Sequence, residues 1–527
     1  MKIKIKLFLI TIILCSNIFA ENISLTDART AVDGWLKLSH SQLSATFNKP
    51  IDNIYSCSNS TGLLLYYVVN FENEGFVIVS PNSLIEPIIA FSGTGYLDKN
   101  PLNPLFDFLN ADMNERIISL SNCKYISSST NKFTKKWKTL FSAANNKVFE
   151  TSISSIDDPR VDPLVKTRWS QSTAGGNACY NYYTPRYVGS TVTWDSGNSA
   201  NYVCGCVATA LAQFLRQREY PTTGIGTGSN TVNVLEKDSS GNIINSSYNI
   251  FRIFRGGDDS GGAYLWNEMT LIPTSGSTET QRQQIGRLTY DAGVSVNMSY
   301  SNHGSGTDTL KCKDALVNVF NYANAIKGKN SYNELTGHGL YEMIIPNLDA
   351  KIPVILGITG EYGGHAIVCD GYGYNFSTLY HHLNMGWAGS QDAWYELPDI
   401  GTGYKFNKVY KCVYNIFETE TGEIISGRVL NDSGNPLSNV VVTADGITNT
   451  TDARGIYALV HVTSGTKTVS ANKSGCIFLS TNVTVNTSIN YSTSVGNVPD
   501  VNFTAVPEPF LFTVYCLSFG IYYLKRR

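Results

Sequence analysis

The chain has 527 residues, 42% of them hydrophobic and 16% charged, with a formal net charge of −2. A sequence this long and this apolar exceeds one ordinary core and excludes a disordered chain, so two to four domains are expected. A charge so near zero lacks the polybasic footprint that phosphate contacts rely on, which sets nucleic acid aside as a partner.

In chain order, residues 1–20, "MKIKIKLFLITIILCSNIFA", hold three lysines, an apolar run over 7–15 and Ala20 at a cleavable position, the pattern of a secretory signal peptide. A lipoprotein reading through Cys15 is disfavoured, because Leu14 stands where a small residue is wanted. Export permits disulfides among the cysteines, of which there are eleven, but spacing does not fix their pairing.

Residues 21–150 read as a small α+β unit. Ala28, Ala31, Trp35 and Leu38 recur at helical spacing; "LLLYYVVNF" and "GFVIVSP" read as strands, and "FDFLNADMNERIISL" returns to helical spacing. Residues 151–417 are rich in Gly, Tyr and Trp and carry most of the paired polar features. Over 424–505 the texture turns to short β-rich runs such as "SNVVVTADG" and "GIYALVHV", separated by Gly, Asn and Asp turns, a β-sandwich signature without an acid, base or thiol cluster. Residues 506–527, "VPEPFLFTVYCLSFGIYYLKRR", place an apolar run over 510–524 before Lys525, Arg526 and Arg527. That run is shorter than the roughly 20 residues that span a bilayer comfortably and reads as a tail anchor or sorting segment.

The stretch "NYVCGCVATALAQFLRQREYP" sets two thiols before a helical pattern, with Val207, Ala208, Leu211, Phe214 and Leu215 on one face. Cys206 falls at the helix N-terminus, where the macrodipole and free N–H groups stabilise a thiolate, and its own N–H is placed to donate toward an oxyanion. Gly205 permits a tight backbone approach, whereas Cys204 falls outside the helix field. Either thiol also has a structural reading, buried or disulfide-bonded.

A thiol nucleophile needs a base, and the chain has seven histidines. In "IPVILGITGEYGGHAIVCDGYG", His365 follows two glycines, Gly364 among them, at the start of an apolar strand, and "STLYHHLNMGW" supplies the next strand. His303, His338, His381 and His382 lack such a setting and read as structural. Cys204, Cys206 and the His381–His382 pair do not fit structural zinc spacing, so neither a metal nor a cofactor is expected.

The blocks "CGCVATALAQFLRQREYP", "GGHAIVCDGYG" and "HHLNMGWAGSQDAWYELP", with "VKTRWSQSTAGGNACYNYYTP" before them, resemble those of the streptopain family of secreted cysteine proteases, over roughly residues 160–415. The N-terminal unit is similar to that family's inhibitory propeptide. The resemblance implies an α+β architecture: a papain-like peptidase domain at 151–417 behind a propeptide at 21–150. It further implies Cys206 as nucleophile, His365 as general base and acid, Gln171 in the oxyanion hole and Asn384 orienting the imidazole. Its partners would be protein or peptide substrates and its own propeptide, cut off between about Ala143 and Val165. One departure is Met385, where the family has a tryptophan; Trp387 matches the motif's second tryptophan, and methionine offers no indole N–H or ring face.

Residues 424–505 resemble the carboxypeptidase regulatory-like β-sandwich, which implies a spacer or binding role. Residues 506–527 resemble the PEP-CTERM sorting signal, matched by Val506, Pro507, Glu508, Pro509 and the closing arginines. This implies membrane sorting machinery as a partner, delivery to the cell surface or outside, and transient anchoring at 510–524. Two other readings share these residues: a catalytically impaired surface adhesin or inhibitor, and an acyl transferase using the same thiol.

Overall fold

The stripe of Ala28, Ala31, Val32 and Trp35 forms one face of α1 (Leu25–Leu38). Ser24 and Asp27 bond reciprocally across its first turn, the arrangement of a capping box. The computed structural model describes residues 22–38, 42–101, 103–122, 132–146, 157–329, 337–360, 363–397, 409–492 and 494–507; residues 1–20, read above as a signal, most of the stretch read as a linker after 146, and the run 510–524 lie outside them. The stripe of α1 packs on α3 (Lys132–Ala144) so closely that a Cβ at Gly34 would lie 1.9 Å from the Leu140 carbonyl oxygen, so only glycine fits there. Leu64–Phe71 is buried along nearly its whole length because it is covered on both faces, by α1 and α3 on one side and by α2 (Pro104–Asn122) on the other.

Four antiparallel strands, Ile51–Ser58, Leu64–Phe71, Phe76–Val79 and Ile88–Ser92, run in sequence order through this N-terminal unit. The sheet does not end there. Ile88–Ser92 pairs antiparallel with Ala393–Tyr395, Phe91 opposite Trp394. The sheet then continues through Thr378–Asn384, Gly364–Asn375, Val354–Thr359, Val409–Phe417 and Asn324–Lys329. Asp157–Val161 joins alongside the far half of Gly364–Asn375, giving one sheet of eleven strands among the described residues.

Against this sheet lies α4 (Cys206–Arg218), with Val207, Leu211, Phe214 and Leu215 buried. Burying such side chains contributes roughly 1.5–3 kcal/mol each, which anchors the helix that carries Cys206. On its other side α4 meets α5 (Glu279–Ser295), whose capping box at Thr278 and Gln281 fixes its start. α6 (Lys311–Asn318) and α7 (Gly337–Asp349) complete the helical cover.

Two sheets of the C-terminal β unit face each other, one of Ile456–Val462, Glu423–Leu430 and Phe503–Thr504, the other of Ile447–Thr450, Val441–Ala444, Gly465–Asn472 and Thr481–Val485. Ile425, Val429, Val442, Tyr457, Leu459 and Phe503 fill the space between them. This unit is fused to the rest. Ile424 and Ala458 belong to the same apolar cluster as α4; Arg428 pairs with Asp158 at 2.9 Å and Arg454 with Asp162 at 2.8 Å. Val506–Pro507, the start of the segment read as a sorting signal, pairs with Cys476–Ile477 of this unit.

Candidate active site

Gly205 precedes α4 with φ 91°, and a Cβ there would lie 2.8 Å from the Ser305 carbonyl oxygen and 2.9 Å from the Met298 sulfur. Only glycine can make that approach, and it sets Cys206 as the first residue of the helix. Thr209 closes the first turn, its N–H donating to the Gly205 carbonyl at 3.0 Å. Its hydroxyl donates to the Ser170 carbonyl at 3.1 Å.

His365 stands at the start of Gly364–Asn375, hydrogen-bonded to Cys206. Burial by itself would raise the Cys206 thiol, but the charge and hydrogen bond of His365, with backbone hydrogen bonds from Ala366 and Val207, hold it below the ordinary thiol value. Burial would likewise lower the His365 imidazole, and the neighbouring Cys206 and the Met385 carbonyl instead raise it. The two opposite shifts each favour the charged form, thiolate on Cys206 and imidazolium on His365. Cys204, by contrast, is fully buried beside the Thr209 hydroxyl at 3.3 Å, and burial pushes its thiol up to about 12.

Gln171 is tied by backbone to the stretch that leads into α4. Its carbonyl accepts from the Cys204 N–H at 2.8 Å, and the residue before it accepts from Thr209. Gly364 is exposed, and a Cβ there would come within 3.0 Å of the Tyr410 hydroxyl.

The expected role of Asn384 needs correction. The Nε2 of His365 lies 2.8 Å from the backbone carbonyl of Met385, so a main-chain oxygen, not the Asn384 side chain, holds the ring. Asn384 is buried and already engaged: its Oδ1 accepts from Gln213 Nε2 at 2.9 Å and from the Gly386 N–H at 3.0 Å, and its Nδ2 donates to the Thr167 carbonyl at 3.1 Å. Its bonds shape the turn that presents the Met385 carbonyl. The Met385 side chain points into the apolar core and is fully buried. Trp387 is half-buried in the next turn, its carbonyl accepting from Ser390.

Two residues of this arrangement escaped the sequence reading. Gln213 lies two helical turns beyond Cys206, on the same side of α4 as the buried Thr209 and away from the stripe of Val207, Leu211, Phe214 and Leu215, so the apolar periodicity gives no sign that it is buried. Asp392 accepts from the Met385 N–H at 2.9 Å, with burial raising its carboxyl to about 6; nothing in its sequence setting distinguishes it.

Of the other histidines, His382 bonds the buried Asp370 at 2.6 Å, while both ring nitrogens of the buried His381 lack a hydrogen-bond partner. His303 is exposed, and the His338 side chain lies outside the described residues. Among the described residues no group of three or more His, Cys, Asp or Glu is arranged to hold a metal ion.

The N-terminal unit grips both loops that flank this site. Asn103 Nδ2 donates to Gln391 Oε1 at 2.9 Å, Gln391 Nε2 donates to the Tyr96 carbonyl at 3.0 Å, and Asp107 of α2 lies against Gly360. Behind them, buried Arg116 bridges Asp112 of its own helix and Glu396.

An activated thiol at a helix N-terminus, paired with a strand-borne imidazole on a papain-like α+β frame and covered by an N-terminal unit, is the equipment of a cysteine peptidase made as a zymogen. Residues 169–395 match the peptidase C10 family and residues 20–117 match the Spi protease inhibitor. These matches, with the relatives below, make the chain a cysteine protease carrying its inhibitor as a propeptide. The chain is 27% identical to streptopain of Streptococcus pyogenes over 345 residues, 64% of this chain and 76% of streptopain. It is 21% identical to the thiol protease/hemagglutinin PrtT of Porphyromonas gingivalis over 388 residues, 71% of this chain and 38% of that protein. Among solved structures, a prointerpain A fragment of Prevotella intermedia is 23% identical with a TM-score of 0.46, covering 70% of this chain and 99% of its own. Active interpain A of the same organism is 26% identical with a TM-score of 0.36, covering 51% and 98%.

Proposed function

We propose that Cys206 is the nucleophile and His365 the general base and acid of an endopeptidase. The Cys206 sulfur attacks a peptide carbonyl; the Cys206 N–H and the Gln171 side chain receive the oxyanion; His365 protonates the leaving amine, and water then releases the acyl-enzyme. The observation that carries this reading is the placement of Cys206 as the first residue of α4 with His365 hydrogen-bonded to it, a setting that lowers the thiol and raises the imidazole. Retention of the ring-holding bond through a backbone carbonyl favours an active enzyme over an impaired adhesin, because a main-chain oxygen survives the replacement of tryptophan by methionine.

The domain reading accompanies it: propeptide 21–150, peptidase 151–417, regulatory-like sandwich 424–505, and a PEP-CTERM tail 506–527. The signal at 1–20 exports the zymogen, and the tail hands it to sorting machinery for delivery to the surface or outside the cell. The test is self-processing. Residues 21–505 and their Cys206→Ser version are followed by mass over time; loss of roughly the first 130 to 145 residues only where Cys206 is retained supports the reading. Two chains that both stay intact, with no peptidase activity released by an added protease, overturn it.

A further inference from the structure

α4 buries a polar side chain on the side away from its apolar stripe. Gln213 is 0% exposed and lies one turn from the buried Thr209, on the opposite side of the helix from Val207, Leu211, Phe214 and Leu215. A buried amide costs stability unless its bonds are made, and here both ends of the amide are engaged across three separate segments. Its Oε1 accepts from the Thr167 hydroxyl at 2.9 Å and from the Trp169 N–H at 3.2 Å, while its Nε2 donates to Asn384 Oδ1 at 2.9 Å. The circuit closes around it: Asn384 Nδ2 returns to the Thr167 carbonyl at 3.1 Å, and the Ala388 N–H donates to the Trp169 carbonyl at 2.9 Å.

These three segments are the ones that carry the reaction. α4 carries Cys206, the stretch 167–171 leads into Gln171, and Asn384 shapes the turn whose Met385 carbonyl holds His365. We propose that Gln213 is a positioning residue for the peptidase reaction: its amide locks the thiol helix, the Gln171 segment and the imidazole-holding turn into one register. The proposal rests on the Cys206–His365 reading above. Gln213 touches neither substrate nor the reacting atoms; it acts by keeping the Met385 carbonyl, and through it the imidazole, in line with the sulfur.

The test uses the full chain. Alkylation of Cys206 by iodoacetamide is followed by peptide mass as a function of pH, and peptide hydrolysis is measured after activation by limited proteolysis in the linker. Cys206→Ser comes first: if it still hydrolyses peptides, the reaction reading fails regardless of Gln213. With that control inactive, Gln213→Leu is expected to lower kcat about 10- to 100-fold with KM within about threefold, the effect of a small misplacement of reacting groups. Its alkylation limb should move up by about one pH unit as the thiol loses its cationic partner. The Gln213→Leu, Asn384→Ala double variant should be no worse than the poorer single one, because the two residues act as one unit. Should Gln213→Leu not fold, Gln213→Glu keeps the volume and the acceptor. Protonated at acid pH it can still donate to Asn384, so its activity should approach the parent's there and fall away as pH rises. A folded Gln213→Leu with the parent's kcat and alkylation limb, or a Gln213→Glu whose pH profile matches the parent's, overturns the proposal.

Discussion

At Gly205 a single missing Cβ decides whether the nucleophile is presented at all. Gly205→Ala forces a methyl to 2.8 Å from the Ser305 oxygen in a left-handed backbone conformation, so it should cost about 1–3 kcal/mol of stability. Peptide hydrolysis should fall at least tenfold, checked by thermal denaturation beside kcat/KM. The thiols divide as sharply: iodoacetamide near neutral pH should label Cys206, whose thiol is lowered, and leave Cys204, raised to about 12, unmodified. Reactivity should be lost as pH falls through the depressed Cys206 value. His381 works in the other direction. Burial without a partner lowers it from 6.5 to about 3, so the folded chain carries it neutral while the unfolded chain takes up a proton below 6.5. Stability is therefore fully present above pH 6.5 and drains away toward pH 3. His381→Leu should lose less of its melting temperature than the parent between pH 7 and pH 4.5, by the equivalent of about 2 kcal/mol.

At the level of elements, the sequence made some parts of the site readable and hid others for physical reasons. The apolar periodicity after Cys206 and the glycine-led strand at His365 are local patterns, and the structure forms α4 and Gly364–Asn375 there. The group that holds the imidazole is a backbone carbonyl, which every residue possesses and no pattern marks, whereas Asn384 drew its assignment from the family motif it matches. The join of Ile88–Ser92 to Ala393–Tyr395 was equally hidden, because strands so distant in sequence declare no partner. The helix α2 adds an ionic latch to that join. Arg116→Ala would leave Asp112 and Glu396 buried without their cation, and breaking a buried pair this way costs about 3–5 kcal/mol. The expected outcome is a zymogen that melts earlier and sheds its propeptide faster, followed by the rate of appearance of activity.

Across the whole molecule, the C-terminal β unit, for which the regulatory-like resemblance implies a spacer or binding role, is bound closely to the peptidase. It shares an apolar cluster with α4, and Asn415 and Asn497 bond each other across the boundary. Arg428 and Arg454 clasp Asp158, within the strand that enters the peptidase sheet after the linker, and Asp162, just past its end. Ending the chain after Phe417 should therefore lower the melting temperature of the peptidase itself. Arg428→Ala with Arg454→Ala should make the 157–162 segment a new site of proteolytic nicking, detected by N-terminal sequencing of the fragments.

The continuous sheet carries one further consequence for the mature enzyme. While the propeptide is in place, Ala393–Tyr395 is an interior strand with neighbours on both sides. When the propeptide leaves, that strand becomes a rim with a row of unanswered N–H and C=O groups, only a few residues from the turn that holds the imidazole. Liberated inhibitor can dock there again as an added strand, and any extended peptide of suitable shape competes for the same seam.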